Sequence, residues 1–258
     1  MTTLIASVIL RGLSGVVYAD VSSAYVSSSG RVCDIYPVSS QEVDLEADLG
    51  EWGQVFWCGW TVSALHDRQR DLHRMAFFEF ETMLHYRYEW NVTRDCTVRA
   101  SAGAYWDPQI GYPDDSNAYY GPQTILSFEN PYVTPYVDYV NILDPVVLAR
   151  ARLGLRRAFA CAEQWRTTPS VETVWSDSNR CKAMFGEVND YKFCDGAFTA
   201  LAVRIKTEWL FAEQWSVFVL LGYLMTLGDK AREAINNQQA YWAKCDWLYA
   251  TIGCAYSF

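Results

Sequence analysis

Apolar and polar residues alternate with a period of two over most of this chain. Val43, Leu45, Ala47 and Leu49 fall on one face of segment 41–49, and Glu42, Asp44, Glu46 and Asp48 on the other. In 74–90, Ala76, Phe78, Phe80, Leu84, Tyr86 and Tyr88 oppose Phe77, Glu79, Glu81, His85, Arg87 and Glu89. Val147, Ala149, Ala151, Leu153 and Leu155 oppose Arg150, Arg152 and Arg156, and Leu201, Val203, Ile205 and Trp209 oppose Arg204, Lys206 and Glu208. Such alternation predicts strands with one apolar and one polar face. Runs of about ten residues match a strand crossing a bilayer at a tilt. A soluble all-β sandwich is the other fold that alternates, with shorter strands.

The pattern predicts twelve strands, at 15–27, 38–49, 53–65, 75–90, 96–106, 123–129, 133–143, 147–160, 166–176, 197–210, 215–227 and 241–258; ten is the alternative count. Short connections (50–53, 91–95, 129–132, 162–165, 211–215) mostly alternate with long polar ones (66–74, 107–122, 177–196, 228–239), and the short 144–146 connection breaks the rule. This is the plan of a single antiparallel transmembrane β-barrel with short periplasmic turns and long extracellular loops, both termini facing the periplasm. Ala-Glu-Gln-Trp occurs at 162–165 and again at 212–215, each time at an expected turn, with Trp165 and Trp215 as interfacial anchors.

The last eight residues, Thr251-Ile252-Gly253-Cys254-Ala255-Tyr256-Ser257-Phe258, read polar, any, Gly, any, any, aromatic, any, aromatic. They resemble the C-terminal signal by which the barrel assembly machinery takes up bacterial outer-membrane barrels, which would make Gly253, Tyr256 and Phe258 a membrane-assembly signal. Tyr256 and Phe258 share one face of a strand, as an interfacial aromatic girdle requires.

The chain has 258 residues, room for one large all-β domain, expected over 20–258. Eleven Trp, 17 Tyr and 12 Phe suit two girdles. No run of 18 apolar residues exists, so no helix is expected to span a membrane. Net charge is −9, which argues against nucleic acid. Residues 1–19 end in Val17-Tyr18-Ala19 before Asp20, as at a signal-peptidase site, but the first ten residues lack Lys and Arg; the segment is a signal peptide or an N-terminal extension.

Eight Cys and no CxxC make a zinc ribbon a poor fit. Cys181 and Cys194 bracket one polar loop and form the best disulfide candidate, with Cys33 and Cys245 next; free small hydrophobes in the wall are the other reading.

Residues 23–43 carry a family likeness. Ser23-Ala24-Tyr25-Val26, Gly30-Arg31-Val32, Asp34 and Pro37-Val38 resemble the first strand and loop of the TorF-type porin family, a group of uncharacterised bacterial outer-membrane barrels. Val55–Trp60, Asn130–Tyr136 and Phe258 are similar to that group too, although Ser27-Ser28-Ser29 stand where the family has an aromatic-Arg pair. The resemblance implies the barrel fold, the outer membrane and a porin role, and no activity.

Charges facing hydrocarbon cost about 2–4 kcal/mol each near the midplane. The charged faces are therefore expected to line the lumen: Glu42, Asp44, Glu46, Glu79, Glu81, His85, Arg87, Arg150, Arg152, Arg156, Arg204, Lys206 and Glu208. Three functions fit such a lumen. One is a porin or channel for small polar or charged solutes. Another is a closed barrel with a plugged, charged lumen and a structural or partner-binding role for its loops. The third is a rim hydrolase using His66 or His73 beside Asp67 and Asp71. A non-enzyme with no metal and no cofactor is expected; Asp114-Asp115 alone is a weak Ca²⁺ site. Expected partners are the bilayer, lipopolysaccharide, the assembly machinery and small polar solutes.

Overall fold

A computed structural model describes residues 12–26, 32–65, 78–107, 119–143, 147–185, 196–237 and 244–258. The strands are β1 (Leu13–Ser22), β2 (Tyr25–Val26), β3 (Val32–Asp34), β4 (Val38–Asp48), β5 (Gln54–Ala64), β6 (Phe78–Thr93), β7 (Cys96–Asp107), β8 (Tyr119–Glu129), β9 (Thr134–Ile142), β10 (Leu148–Arg156), β11 (Phe159–Ala162), β12 (Trp165–Ser176), β13 (Ala197–Leu210), β14 (Trp215–Thr226) and β15 (Asp246–Ser257). Helices α1 (Ser178–Phe185) and α2 (Asp229–Asn237) lie in two connections, and no described helix is long and apolar enough to cross a membrane.

Twelve strands form one antiparallel barrel. Around the wall the order is β1, β4, β5, β6, β7, β8, β9, β10, β12, β13, β14, β15, with β1 pairing β15 and β10 pairing β12 to close it. Closure leaves no sheet edge within the bilayer, where unpaired backbone groups would find no water. Every backbone ladder follows chain order apart from the omission of β2, β3 and β11. β11 is a short flap that pairs only with the start of β12.

The connections alternate strictly between the two ends. β9 and β10 meet at the end that carries the long loops, and residues 144–146 between them lie outside the described residues. Three expected strands are shorter than the alternation suggested. The 15–27 strand stops at Ser22, and Tyr25–Val26 turns inward to pair with β3 as a two-stranded ribbon. The 147–160 strand stops at Arg156, and its tail becomes β11. The 241–258 strand begins only at Asp246, and the 123–129 strand begins earlier, at Tyr119.

Outward positions carry the membrane contact. A middle band of Leu126, Val137, Leu153, Val203, Ile205, Val219, Leu221 and Ile252 is exposed, an apolar surface that only lipid would cover. Trp106, Tyr120 and Phe198 ring it towards the loop end; Trp90, Trp165, Trp209, Trp215 and Phe258 ring it towards the turn end. The Trp165 and Trp209 rings stack at 5.9 Å, and Trp215 lies 4.8 Å from Tyr256.

The two Ala-Glu-Gln-Trp copies act alike. Gln164 accepts the Leu210 amide on its carbonyl (2.8 Å) and the Trp209 indole on its side chain (3.4 Å). Gln214 accepts the Ser257 amide (2.8 Å) and the Tyr256 hydroxyl (3.4 Å) in the same way. Each copy thus ties a turn to the next strand but one in the chain's ladder and fixes an aromatic tip in the girdle.

At the loop end, α1 packs on α2 through Cys181, Ala231, Ala234 and Ile235, with Cys245 against them. In place of the expected bridge to Cys194, which lies outside the described residues, Cys181 is a free thiol donating to the Ser176 carbonyl. Cys245 is a free thiol as well, and the side chain of Cys33, its expected partner, lies outside the described residues. Burial pushes both thiols up from their ordinary range.

Candidate functional site: the lumen

Register decides which side chains face inward. Glu42 pairs with Trp60, Asp44 with Cys58 and Glu46 with Phe56; Trp60 in turn pairs with Glu81, Phe56 with His85 and Gln54 with Arg87. Arg150, Arg152 and Arg156 face Ser176, Val174 and Ser170, while Arg204 and Lys206 face Ser170 and Thr168. All these positions share one surface of the sheet, together with Glu208, which pairs with Arg166. That surface is the lumen. Glu79 pairs with Val62 in the same register. His66, His73, Asp67, Asp71 and Asp114-Asp115 lie outside the described residues.

Two hydrogen-bonded runs cross the wall from β6 to β15. In one, His85 Nε2 donates to Gln123 Oε1 (3.2 Å, in the tautomer protonated there), Gln123 donates to Asp138 (2.8 Å), and Arg152 Nε donates to Asp138 (2.8 Å). In the other, the Tyr136 hydroxyl donates to Glu172 (2.7 Å), Arg204 donates to Glu172 (3.1 Å), and Arg204 Nε donates to the Tyr249 hydroxyl (2.7 Å). Asp138 and Glu172 are almost fully buried, and their guanidinium partners supply the charge that such burial demands. Arg87 with Glu46, and Arg99 with Glu129, continue the pairing near the turn end. Arg150 and Arg156 lie over the rings of Tyr105 and Tyr136.

The wall at β1 and β4 is different. Asp20 accepts the Ser40 hydroxyl (2.6 Å) and Glu42 accepts the Cys58 thiol (3.5 Å), yet Asp20, Glu42 and Asp44 make no ion pair among the described residues. Acidic groups collect on β1, β4 and β6, and basic groups on β10 and β13.

The β2–β3 ribbon crosses the lumen at the loop end. Tyr25 packs on Val38, Val62 and Trp60 of one wall. Val32, only 1% exposed, packs with Val174, Ala200, Ala202 and Leu224 on β12–β14. Beneath the ribbon is a cavity of about 370 Å³ lined by both walls.

Asp20, Arg99, Asp138, Glu172, Tyr136 and Tyr249 belong to the inward face of the barrel although the charge pattern alone did not single them out. Asp138 and Glu172 each stand as the one charge in an otherwise uncharged strand stretch, between Val137 and Tyr139 and between Val171 and Thr173. An isolated carboxylate at an inward register position was the signal available.

No known family profile matches the chain, and no curated protein matches it in sequence. Solved structures do. An outer-membrane channel from Pseudomonas putida F1 superposes with a TM-score of 0.55 at 14% identity, covering 95% of this chain and 95% of the channel. The NanC porin superposes with a TM-score of 0.51 at 9% identity, covering 94% of this chain and 98% of the porin. At these identities the likeness is one of fold. With the closed wall, the lipid-facing band and the two girdles, it gives the chain the fold of a bacterial outer-membrane β-barrel.

Proposed function

We propose that this barrel is a porin-type channel for small polar or charged solutes. The observation that carries the reading is the uneven charge of the lumen: Asp20, Glu42 and Asp44 make no ion pair among the described residues, while Arg152 and Arg204 are held by Asp138 and Glu172, and Arg150, Arg156 and Lys206 face the bore from β10 and β13. A barrel that needed only to fill its bore would pair or omit such charges, since unpaired ones weaken it. Opposed charged walls instead orient a dipolar solute and hold water in the path. A channel and a porin share the fold, and the likeness of residues 23–43 to TorF-type barrels fits the same role without catalysis.

One observation favours a second reading, a closed barrel whose loops bind a partner: the ribbon bridges the lumen and buries Val32. Single-channel recording of the refolded full chain in a planar bilayer, across a salt gradient, separates the two. Stepwise conductance with a reversal potential supports passage. Confirmed insertion without conductance overturns it in favour of the closed barrel.

A further inference from the structure

We infer that the cavity beneath the β2–β3 ribbon is a binding site for a small organic cation carrying primary ammonium groups. The inference deepens the passage reading, on which it rests, by naming the class of solute.

The first argument is charge. Asp20, Glu42 and Asp44 line the cavity, and among the described residues Lys206 is its one basic lining residue. Three acidic groups against one basic group suit a short diamine. The second argument is an unmet hydrogen bond. Asp44 Oδ1 is buried and has no partner. Ligand atoms of Glu42, Asp44 and Cys58 all lie within 4.8 Å of one another, a spacing that one ammonium nitrogen can bridge with its three donors. A buried acceptor without a donor is costly, and a ligand N–H would remove that cost.

The third argument is the company these carboxylates keep. Tyr18, Tyr25, Trp60, Phe218 and Tyr249 line the same space. Ring faces attract an ammonium and cover an alkyl stem. A divalent metal ion would want oxygen donors there instead. The wall already holds one group of this chemistry: the Lys206 amine lies 4.4 Å from the Phe218 ring centre and 5.3 Å from that of Tyr18. Gly253, across from both Phe218 and Asp20, leaves the space that the Phe218 ring and the Asp20 side chain occupy.

The test is calorimetric titration of the detergent-refolded full chain with 1,4-diaminobutane, with 1,4-butanediol as the uncharged probe of the same length. Saturable binding of the diamine and none of the diol is expected. The double variant E42Q/D44N should weaken diamine binding at least about tenfold, and K206M, which removes the competing cation from the lining, should tighten it. Equal heats for diamine and diol, or undiminished binding by E42Q/D44N, would overturn the proposal, as would saturable Zn²⁺ binding with no diamine binding. Should E42Q/D44N fail to fold, the probe pair on the unaltered chain and K206M still decide. Binding without conductance would leave the site standing and remove the passage reading; conductance without binding would do the reverse.

Discussion

Tyr249 lies flat over Gly222, its direct cross-strand neighbour, and this places its hydroxyl 2.7 Å from Arg204 Nε. A methyl group on Gly222 would fall inside the tyrosine ring. Tyr136 covers Gly154 in the same manner and points its hydroxyl at Glu172. Both glycines let a long ring lie along the wall, so that the lumen keeps its bore and the charged network gains two hydroxyls. Gly222→Ala should lift Tyr249 away from Arg204 and destabilise the barrel by about 1 kcal/mol, the worth of one such hydrogen bond. Tyr249→Phe should cost a similar amount, and the double variant little more than either alone. Urea midpoints of the four proteins check this; simple additivity would mean that glycine does not position the ring.

Glu172 joins three strands, accepting from Tyr136 on β9 and Arg204 on β13 while standing on β12. It is 5% exposed, whereas the Arg204 side chain is 24% exposed and keeps some water. Glu172→Ala should therefore cost about 2 kcal/mol, between the values for exposed and fully buried pairs. Glu172→Gln, which keeps an acceptor for both donors, should cost clearly less. Heat-induced loss of the folded band on a gel, measured for both variants, tests the order.

These two carboxylate partners also mark what the sequence could disclose. Glu42, Asp44 and Glu46 betray an inward face because three like charges alternate with apolar residues, and only a lumen lets all three escape hydrocarbon. Asp138 and Glu172 carry no such rhythm, and their arginines lie 14 and 32 residues away, a distance that alternation within one strand does not span. The ribbon was hidden for the opposite reason. Tyr25 and Val26 continue the alternation of β1, so the strand reads on to residue 27; the turn inward is made by packing of Tyr25 on Val38 and Val62, a tertiary effect. Helix α2 buries only Ala231, Ala234 and Ile235, too few positions to stand out in a polar loop.

Val32 anchors the ribbon by burial alone. Val32→Asp would place a carboxylate among Val174, Ala200, Ala202 and Leu224, at a cost of several kcal/mol that the ribbon avoids by undocking. The barrel wall does not depend on that contact, because its ladders close without β2 or β3. The expected result is an intact, heat-resistant barrel whose unit conductance rises about twofold or more. An unchanged conductance would show that the ribbon is not the narrowest point.

Arg150, Arg152 and Arg156 stand on the inward face of β10, with Arg152 paired to Asp138. Replacing all three with Gln should move the channel towards cations, with a permeability ratio changed about twofold or more at low salt and less at high salt, where screening shortens the reach of fixed charge. Reversal potentials at two ionic strengths test both the direction and the salt dependence.

Gly15 and Phe258 close the barrel seam. The Gly15 amide donates to the Phe258 carbonyl (3.1 Å) and the Phe258 amide donates back to Gly15 (3.0 Å). A Cβ on Gly15 would stand 2.5 Å from Phe258 Cζ, so the terminal ring uses the space that a side chain would fill. Gly15→Val should therefore displace the ring and cost about 1–3 kcal/mol, as overpacking does. Phe258→Ala alone should cost less, and in the Gly15→Val background it should restore part of the loss by vacating the clash. Refolding yield in detergent reads the stability of the seam. The amount of barrel recovered from the outer membrane of expressing cells reads something further, whether the terminal aromatic is also recognised during assembly. Phe258→Ala that refolds normally but fails to accumulate in the membrane would assign the ring to assembly; equal losses in both measurements would confine it to the seam.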